Sequence, residues 1–250
     1  MMTGPDLYQD FASRYDLSPD ELDRHDPQMV EFFRTLFDQH GVRTALDCAC
    51  GTGRHLLLFQ ELGREVWGSD ASEAMLEQAD QNLKRFGRNV PLLKADYREL
   101  PQNFKRRFDV VACLGSIGYM PDDAEFLRAF RSMRSVLRKE GILILTTIST
   151  DKQWREKPKF KLVFNSPELS RIFAMDYSER TVAYHILDIF HSQKANELKI
   201  WSAELTTLLR DEQERLLKQA GFREVDFYSG FDFSPYEKES SEHLITVAYK

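Results

Sequence analysis

Apolar runs that suit β-strands alternate with segments of helical periodicity over residues 26–148, and this alternation restricts the chain to few folds. The predicted strands are Thr44–Asp47, Arg64–Gly68, Val90–Lys94, Phe108–Leu114 and Ile142–Ile148. Strands separated by helices need crossover connections, which are right-handed and give a parallel sheet covered by helices on both faces. The sequence therefore predicts an α/β protein with a doubly wound, Rossmann-like sheet.

The alternation stops after residue 150. Further strands are predicted at Ile172–Asp176, Thr181–Phe190, Leu198–Leu208, Glu224–Tyr228 and Leu244–Tyr249, with a helix at Asp211–Ala220. The last two strands complete a mainly parallel seven-stranded sheet, whereas the first three suit an antiparallel sheet. We expect a main domain from residues 1–150 and 210–250, with residues 151–209 inserted after strand five as an antiparallel β lid.

Composition limits the class of protein. The chain has 250 residues, 42% of them hydrophobic, and a net charge of −6, which suits one soluble domain and disfavours nucleic acid as the default partner. Residues 1–10 do not resemble a secretion signal, and no run approaches the length of a membrane span. We therefore expect a cytoplasmic protein with no membrane partner. The spacing of Cys48, Cys50 and Cys113 does not suit a metal site.

The segment from Leu46 to Gly53 predicts a ligand-binding turn. Its sequence is Leu-Asp-Cys-Ala-Cys-Gly-Thr-Gly, and the apolar run that follows it predicts a helix. Gly51 and Gly53 let the backbone pass close to a ligand, beside the free N–H groups of that helix. A carboxylate at Asp47 would repel a pyrophosphate but suits an ammonium group. This favours S-adenosylmethionine over NAD, as does the missing third glycine of a dinucleotide fingerprint.

Other strand ends carry polar or small residues that should meet at the same edge of the sheet. Asp70 lies where a carboxylate can accept bonds from both ribose hydroxyls, although it could instead cap the following helix. Asp96 and Tyr97 suit an adenine contact, although Asp96 could be an ordinary loop residue. Leu114-Gly115-Ser116 would form the opposite wall of the pocket.

These motifs resemble those of the class I S-adenosylmethionine-dependent methyltransferases. The resemblance rests on residues 47–53, on Asp70-Ala71-Ser72 and on Phe108-Asp109-x-Val111. Residues 49–53 and 113–115 are most similar to the glycine/sarcosine N-methyltransferases. Residues 116–122 are also similar to the aminosugar N-methyltransferases.

The resemblance implies that Asp47 and Gly51 hold the methionine portion of the cofactor, Asp70 the ribose, and Asp96 and Tyr97 the adenine. Tyr15 and Arg24 would close over the cofactor, although a surface position for Arg24 stays open. The expected cofactor-binding residues are Tyr15, Arg24, Asp47, Ala49, Cys50, Gly51, Gly53, Asp70, Ala71, Met75, Asp96, Tyr97, Leu114 and Gly115.

Departures from the resemblance bear on the acceptor. The glycine enzymes carry an arginine just after strand five, where this chain has Thr146-Thr147-Ile148-Ser149, so glycine is disfavoured. The motifs of nucleic-acid methyltransferases, Asn/Asp-Pro-Pro-aromatic after strand four or a Pro-Cys nucleophile, are missing. Residues 152–161 form a basic cluster with Trp154 and Phe160, for which we expect a solvated loop rather than an anion-binding site.

We expect transfer of a methyl group to a small molecule, at nitrogen rather than oxygen. Positioning two reactants supplies ~7–11 kcal/mol, whereas a general base adds ~10²–10⁴-fold, so a base is optional. Its candidates are Tyr119, Tyr15 and His185, in that order. The alternatives are a nucleic-acid or protein methyltransferase, an NAD(P)-dependent oxidoreductase and a non-catalytic cofactor-binding module. The oligomeric state stays open.

Overall fold

A computed structural model describes residues 11–12, 14–16, 22–147, 149–191 and 197–250. The strands are β1 (Thr44–Asp47), β2 (Glu65–Asp70), β3 (Leu92–Lys94), β4 (Phe108–Leu114), β5 (Leu137–Thr147), β6 (Phe160–Asn165), β7 (Leu169–Tyr177), β8 (Thr181–Phe190), β9 (Glu197–Thr206), β10 (Glu224–Tyr228) and β11 (Leu244–Tyr249). The helices are α1 (Pro27–Gln39), α2 (Arg54–Glu61), α3 (Glu73–Arg85), α4 (Leu100–Asn103), α5 (Asp123–Val136), α6 (Asp151–Glu156) and α7 (Arg210–Gln219). No helix within these ranges is long and apolar enough to cross a membrane.

Seven strands form the main sheet, in the order β10-β11-β5-β4-β1-β2-β3. Strands β1 to β5 pair in parallel, whereas β11 runs antiparallel to both β5 and β10. The predicted doubly wound, mainly parallel seven-stranded sheet is therefore confirmed. Strand order reverses between β1 and β4, which is where ligands bind in open sheets of this kind.

The main sheet is covered on both faces because its central strands are apolar on both sides. In β4, Val110 packs with Phe33 of α1 and Leu57 of α2 on one face. Val111, the next residue, packs with Phe130 of α5 on the other face. This two-sided core holds the strand ends rigidly in place.

Local signals set the helix starts. The carboxylate of Asp26 accepts a hydrogen bond from the N–H of Gln28 (2.8 Å), and Pro27 opens α1. Ser72 caps α3. Helix α5 begins at Asp123, after a capping Asp122 and a preceding 3₁₀ turn at Ile117–Tyr119.

Strand β5 begins at Leu137, five residues before the predicted start at Ile142. The chain passes from α5 directly into this strand, with Glu140 in a left-handed conformation (φ 65°). The predicted last residue, Ile148, lies outside the described residues.

A second, antiparallel sheet follows, in the order β6-β7-β8-β9. The predicted solvated loop at residues 152–161 is wrong, because α6 covers Asp151–Glu156 and β6 begins at Phe160. Thr150 caps that helix through a bond from the N–H of Gln153 (3.1 Å). Two of the basic side chains that suggested a loop form ion pairs instead, Lys152 with Glu242 and Arg155 with Glu239.

Candidate active site

A cavity of about 570 Å³ opens at the carboxyl ends of β1, β2 and β4. Strand-end loops form most of its wall, and the segment at Tyr15 and strand β6 complete it. Among the predicted site residues, those that line the cavity are Tyr15, Arg24, Ala49, Cys50, Gly51, Asp70, Ala71, Met75, Asp96, Tyr97, Leu114 and Tyr119. Residues predicted from separate strands are therefore brought together in one place.

The turn after β1 leaves open space beside its backbone. Gly51 (φ 51°) and Gly53 (φ 93°) both adopt the left-handed conformation that favours glycine. A Cβ added at Gly51 would meet no atom within 4 Å, whereas one at Gly53 would lie 3.4 Å from the Cβ of Ala79. Gly51 therefore exposes its backbone to the cavity, and Gly53 serves the packing of the turn against α3.

Asp47 carries an unsatisfied charge beneath the cavity. Its Oδ1 accepts a bond from the N–H of Ala49 (3.2 Å), but its fully buried Oδ2 has no hydrogen-bond partner among the described residues. Burial raises the pKa of Asp47 to about 7. Nδ1 of His55 lies 3.9 Å from Oδ2, beyond hydrogen-bond distance. An orphaned carboxylate oxygen fits a ligand that brings an ammonium group.

Asp70 is fixed by the backbone. Its Oδ2 accepts a bond from the N–H of Gly51 (3.0 Å), and its Oδ1 from the N–H of Ser72 (2.9 Å). Burial raises the pKa of Asp70, although these backbone bonds act in the opposite direction. Each oxygen keeps a second lone pair. The carboxylate thus fits a pair of adjacent hydroxyl groups.

Asp96 belongs to an ion-pair network. Nε and Nη2 of Arg98 lie 3.0 Å and 2.5 Å from its Oδ2, and Nη1 of Arg98 lies 2.6 Å from Oε2 of Glu125 in α5. Burial acts to raise the pKa of Asp96, but the Arg98 bonds outweigh it and lower this pKa. The adjacent Tyr97 donates its hydroxyl to the carbonyl of Ser116 (3.2 Å). These bonds fix the loop after β3.

The start of α2 is electropositive. Nη2 of Arg54 donates to the carbonyl of Arg24 (2.7 Å), and both residues line the cavity. The pKa of His25 and of His55 falls to about 4, chiefly through burial and also through the Arg54 charge. Both imidazoles are therefore neutral near pH 7. The fixed positive charge and the N-terminus of α2 suit a carboxylate.

Two tyrosines predicted as bases face this cavity. Tyr119 ends the 3₁₀ turn Ile117–Tyr119 and packs against buried residues of both sheets. Desolvation, with added repulsion from Tyr119, Asp16 and Asp70, raises the pKa of Tyr15 to about 12. The Tyr15 hydroxyl therefore keeps its proton at neutral pH.

Four predicted residues do not line the cavity. Asp47 lies beneath it, and Gly53 caps α2. Gly115 faces a separate small cavity, with its N–H donating to Thr146. His185 lies in β8, where its Nδ1 is 2.7 Å from Oγ of Ser202 and its Nε2 is 3.4 Å from Oδ2 of Asp176.

Phe164 lines the cavity and was missed by sequence reasoning. Its strand, β6, was not predicted, and a bulge between Leu162 and Phe164 shifts the register so that Phe164 pairs with Arg171. A bulge changes the face on which a side chain lies, and no sequence signal marks it. The other lining residues that were missed are Asp16, Leu22, Cys48, Thr52, Arg54, His55, Ser72, Arg98 and Met120. Thr52 lies within the predicted turn, and Arg54 and His55 follow it, so these three could have been found from it.

Comparison with known proteins agrees with this geometry. A family model described as a methyltransferase domain matches residues 45–141. A putative methyltransferase of Bacillus subtilis is 31% identical over 222 residues, which cover 87% of each chain. A glycine/sarcosine N-methyltransferase of Aphanothece halophytica is 28% identical over 221 residues, covering 88% of this chain and 81% of the relative.

Solved structures share the whole fold. An S-adenosylmethionine-dependent methyltransferase from Clostridium acetobutylicum matches with a TM-score of 0.79 at 20% identity, covering 97% of this chain and 98% of that chain. A sugar N-methyltransferase from Streptoalloteichus matches with a TM-score of 0.71 at 23% identity, covering 94% and 92%.

The fold, the strand-end cavity and these relatives define a methyl-transferring enzyme. The chain belongs to the class I S-adenosylmethionine-dependent methyltransferases. The cavity fits this cofactor, because the orphaned oxygen of Asp47, the paired oxygens of Asp70 and the open backbone of Gly51 suit its ammonium, ribose and methionine portions.

Proposed function

We propose that this enzyme methylates a small molecule at a nitrogen atom, with the acceptor held between the strand ends and the second sheet. The observation that carries the proposal is the cavity wall itself, which runs from Asp70 at the end of β2 to Phe164 of β6. One cavity is thus shared by both sheets. The names of several relatives, glycine/sarcosine and sugar N-methyltransferases, support nitrogen as the acceptor atom.

The mechanism depends on positioning. S-adenosylmethionine, when bound, supplies an activated methyl group. Asp70 and the Gly51 backbone would hold the donor, Asp47 would face its ammonium group, and Arg24 and Arg54 would face its carboxylate. Holding donor and acceptor in line can supply ~7–11 kcal/mol of the barrier. Tyr119 is the candidate base: its phenolate would take the proton that the acceptor nitrogen loses and become the neutral hydroxyl.

The side of the cavity where we place the acceptor is lined by aromatic and apolar residues. Phe164, Tyr119 and Met120 line it, and such surfaces hold a ring or an alkyl amine by contact. The end of β5, at Thr146 and Thr147, and Ser149 just beyond it carry no basic group. This supports an acceptor without a carboxylate in the position that glycine would use.

A transfer screen tests this proposal. The purified enzyme is incubated with S-adenosylmethionine and separate sets of aminosugars, alkyl amines, amino acids, phenols, nucleic acids and proteins, and S-adenosylhomocysteine is measured. We expect turnover with an amine set, and heteronuclear NMR of the methylated product should place the new methyl group on nitrogen. Turnover confined to phenols, nucleic acid or protein would overturn the proposal. The variant Asp70→Ala is the control for background hydrolysis of the donor.

A cytoplasmic location is part of the same proposal. Cys48, Cys50 and Cys113 are all free and buried thiols, as is usual in a reducing compartment. Detection of the protein in the cytosolic fraction of its own cells, and not in secreted or membrane fractions, is the expected result.

A further inference from the structure

A buried ion pair lies in the second sheet, on the face directed toward the cavity. Arg171 of β7 and Asp188 of β8 are register partners. Nε of Arg171 is 2.6 Å from Oδ1 of Asp188, and Nη2 is 2.7 Å from Oδ2. Their side chains are only 6% and 0% exposed. A buried ion pair is often no more stabilising than apolar residues of similar size, so this one calls for a reason other than stability.

The same guanidinium holds the segment of residues 14–16. Its Nη2 donates to the carbonyl of Arg14 (2.9 Å), and its Nη1 donates to the carbonyl of Tyr15 (3.2 Å). The ring centroid of Phe11 lies 5.2 Å from its Cζ. A planar guanidinium can bind a carboxylate and two carbonyls at once, which lysine cannot do with the same geometry.

The opposite side of this segment is tied to the cofactor-binding turn. Oδ1 of Asp16 accepts a bond from Oγ1 of Thr52 (2.8 Å), and its Oδ2 accepts one from Nδ2 of Asn82 in α3 (3.1 Å). Tyr15, Asp16 and Thr52 all line the cavity. Residues 14–16 thus form a bridge from the second sheet to the turn after β1.

We infer that Arg171 is a positioning residue for the methyl donor. It holds the backbone of Arg14 and Tyr15 so that Tyr15 and Asp16 close the cavity over the donor, and Asp188 orients its guanidinium. This inference builds on donor binding at the strand ends, as in the proposed function, but it does not depend on which acceptor is used.

The double variant Arg171→Met/Asp188→Leu tests this inference. It removes the bonds to the two carbonyls without leaving a single charge buried, so the sheet should keep its stability. Calorimetric titration with S-adenosylhomocysteine should show at least tenfold weaker binding, with Tm unchanged or higher. The control Thr181→Val breaks a bond to Glu204 (2.7 Å) across β8 and β9. It touches none of residues 14–16 and should bind like the wild type.

Coupling to Asp16 separates positioning from sheet stability. Arg171 and Asp16 hold the same segment, so the total loss of affinity in the variant that combines Asp16→Ala with the double substitution should be clearly less than the sum of the two separate losses. Arg171→Lys keeps a positive charge beside Asp188 but lacks the planar guanidinium that bonds both carbonyls. Its affinity for S-adenosylhomocysteine should therefore lie between that of the wild type and that of the double variant. If the double variant does not fold, this lysine variant supplies the same readout.

Two results would overturn the inference. One is a folded double variant, or a folded Arg171→Lys variant, that binds S-adenosylhomocysteine within twofold of the wild type. The other is full additivity with Asp16→Ala. If the wild type itself does not bind this compound, donor binding fails, and that outcome is recognised before any variant is compared.

Discussion

The main sheet and the second sheet contribute to the cavity in different ways. The main sheet supplies short carboxylates and glycines at strand ends, such as Asp70 and Gly51, and they act through backbone bonds within a few residues. The second sheet supplies Phe164, which lines the cavity beside a bulge, and Arg171, which bonds the backbone of Tyr15 at the cavity wall from 156 residues away. The proposed donor contacts of the main sheet are therefore local in sequence, whereas the contributions of the second sheet are not. The following variants probe this division.

Tyr119→Phe should have the largest effect, on turnover. If Tyr119 takes up the proton of the acceptor as a phenolate, its loss should lower kcat by ~10² or more, while the affinity for S-adenosylhomocysteine stays the same. Tyr177→Phe is the matched control, because this hydroxyl in β7 donates to the carbonyl of Pro158 (3.1 Å) away from the cavity. Equal turnover in wild type and Tyr119→Phe would leave positioning alone as the source of catalysis.

Asp70→Ala should weaken binding of the donor rather than of the acceptor. Loss of charged hydrogen bonds worth ~1.5–3 kcal/mol corresponds to about 10- to 150-fold in Kd for S-adenosylhomocysteine. Asp80→Ala, which removes an exposed carboxylate paired with Lys84 on α3, is the control. An unchanged Kd for Asp70→Ala would mean that the ribose lies elsewhere.

Asp47→Asn should stabilise the ligand-free enzyme while weakening donor binding at pH 8. Because the folded-state pKa of Asp47 is raised to about 7, the folded protein binds more protons than the unfolded chain between about pH 4 and 7. Its stability therefore falls as the pH rises through that interval, by up to about 1.4 kcal/mol per pH unit from this group. The Tm advantage of Asp47→Asn should be seen at pH 8 and vanish near pH 4.

Asp109→Asn is the opposite case. Although burial acts to raise its pKa, backbone N–H groups of Arg43 and Thr44 bond the Asp109 carboxylate and lower this pKa. Its contribution to stability is present above its ordinary pKa and is lost as the pH falls. Asp109→Asn should therefore lower Tm at pH 8. If Asp47→Asn lowered Tm at pH 8 as Asp109→Asn does, the Asp47 carboxylate would not be unpaired.

Phe164→Ala should affect the acceptor alone. Loss of aromatic contact should raise the acceptor KM by about tenfold, corresponding to ~1.4 kcal/mol, without changing the Kd of S-adenosylhomocysteine. Phe160→Ala on the same strand is the control, since that side chain is 71% exposed and does not line the cavity. If Phe164→Ala also weakened the binding of S-adenosylhomocysteine, Phe164 would contribute to donor binding and not to the acceptor alone.

His185→Gln should have the smallest effect. Because its ring nitrogens face Ser202 and Asp176 rather than the cavity, kcat should change by less than about threefold, below the range of a general base. If His185→Gln lost most of its turnover while its Tm was preserved, His185 would be a base in the reaction, and β8 would have to move to place it there.

Much of the donor side was predictable from sequence because its chemistry follows strand ends. A buried apolar run that ends in Asp47 or Asp70 predicts both the strand and the polar group at its carboxyl end. Because the strands pair in parallel, these polar groups then meet at the same edge of the sheet. The second sheet offered no such link. Strand β6 was hidden by the charges around residues 152–161, which suggested a loop until their partners, Glu239 and Glu242 from near the end of the chain, were seen.

The position of Arg171 was equally hidden. Its partners, Asp188 and the carbonyls of Arg14 and Tyr15, are separated from it by 17, 157 and 156 residues. Sequence periodicity describes which face of an element is apolar, not which distant backbone a single charged group will meet. Such long-range polar contacts come only with the fold.

The Arg98 network has a consequence for how the enzyme meets its donor. Since Asp96, Arg98 and Glu125 already hold the loop after β3 to helix α5, that part of the pocket has lost its conformational freedom during folding. Binding then needs to order the ligand but not the loop, and less of the interaction free energy is consumed. The part of the pocket proposed to hold the adenine should accordingly act as a rigid docking point.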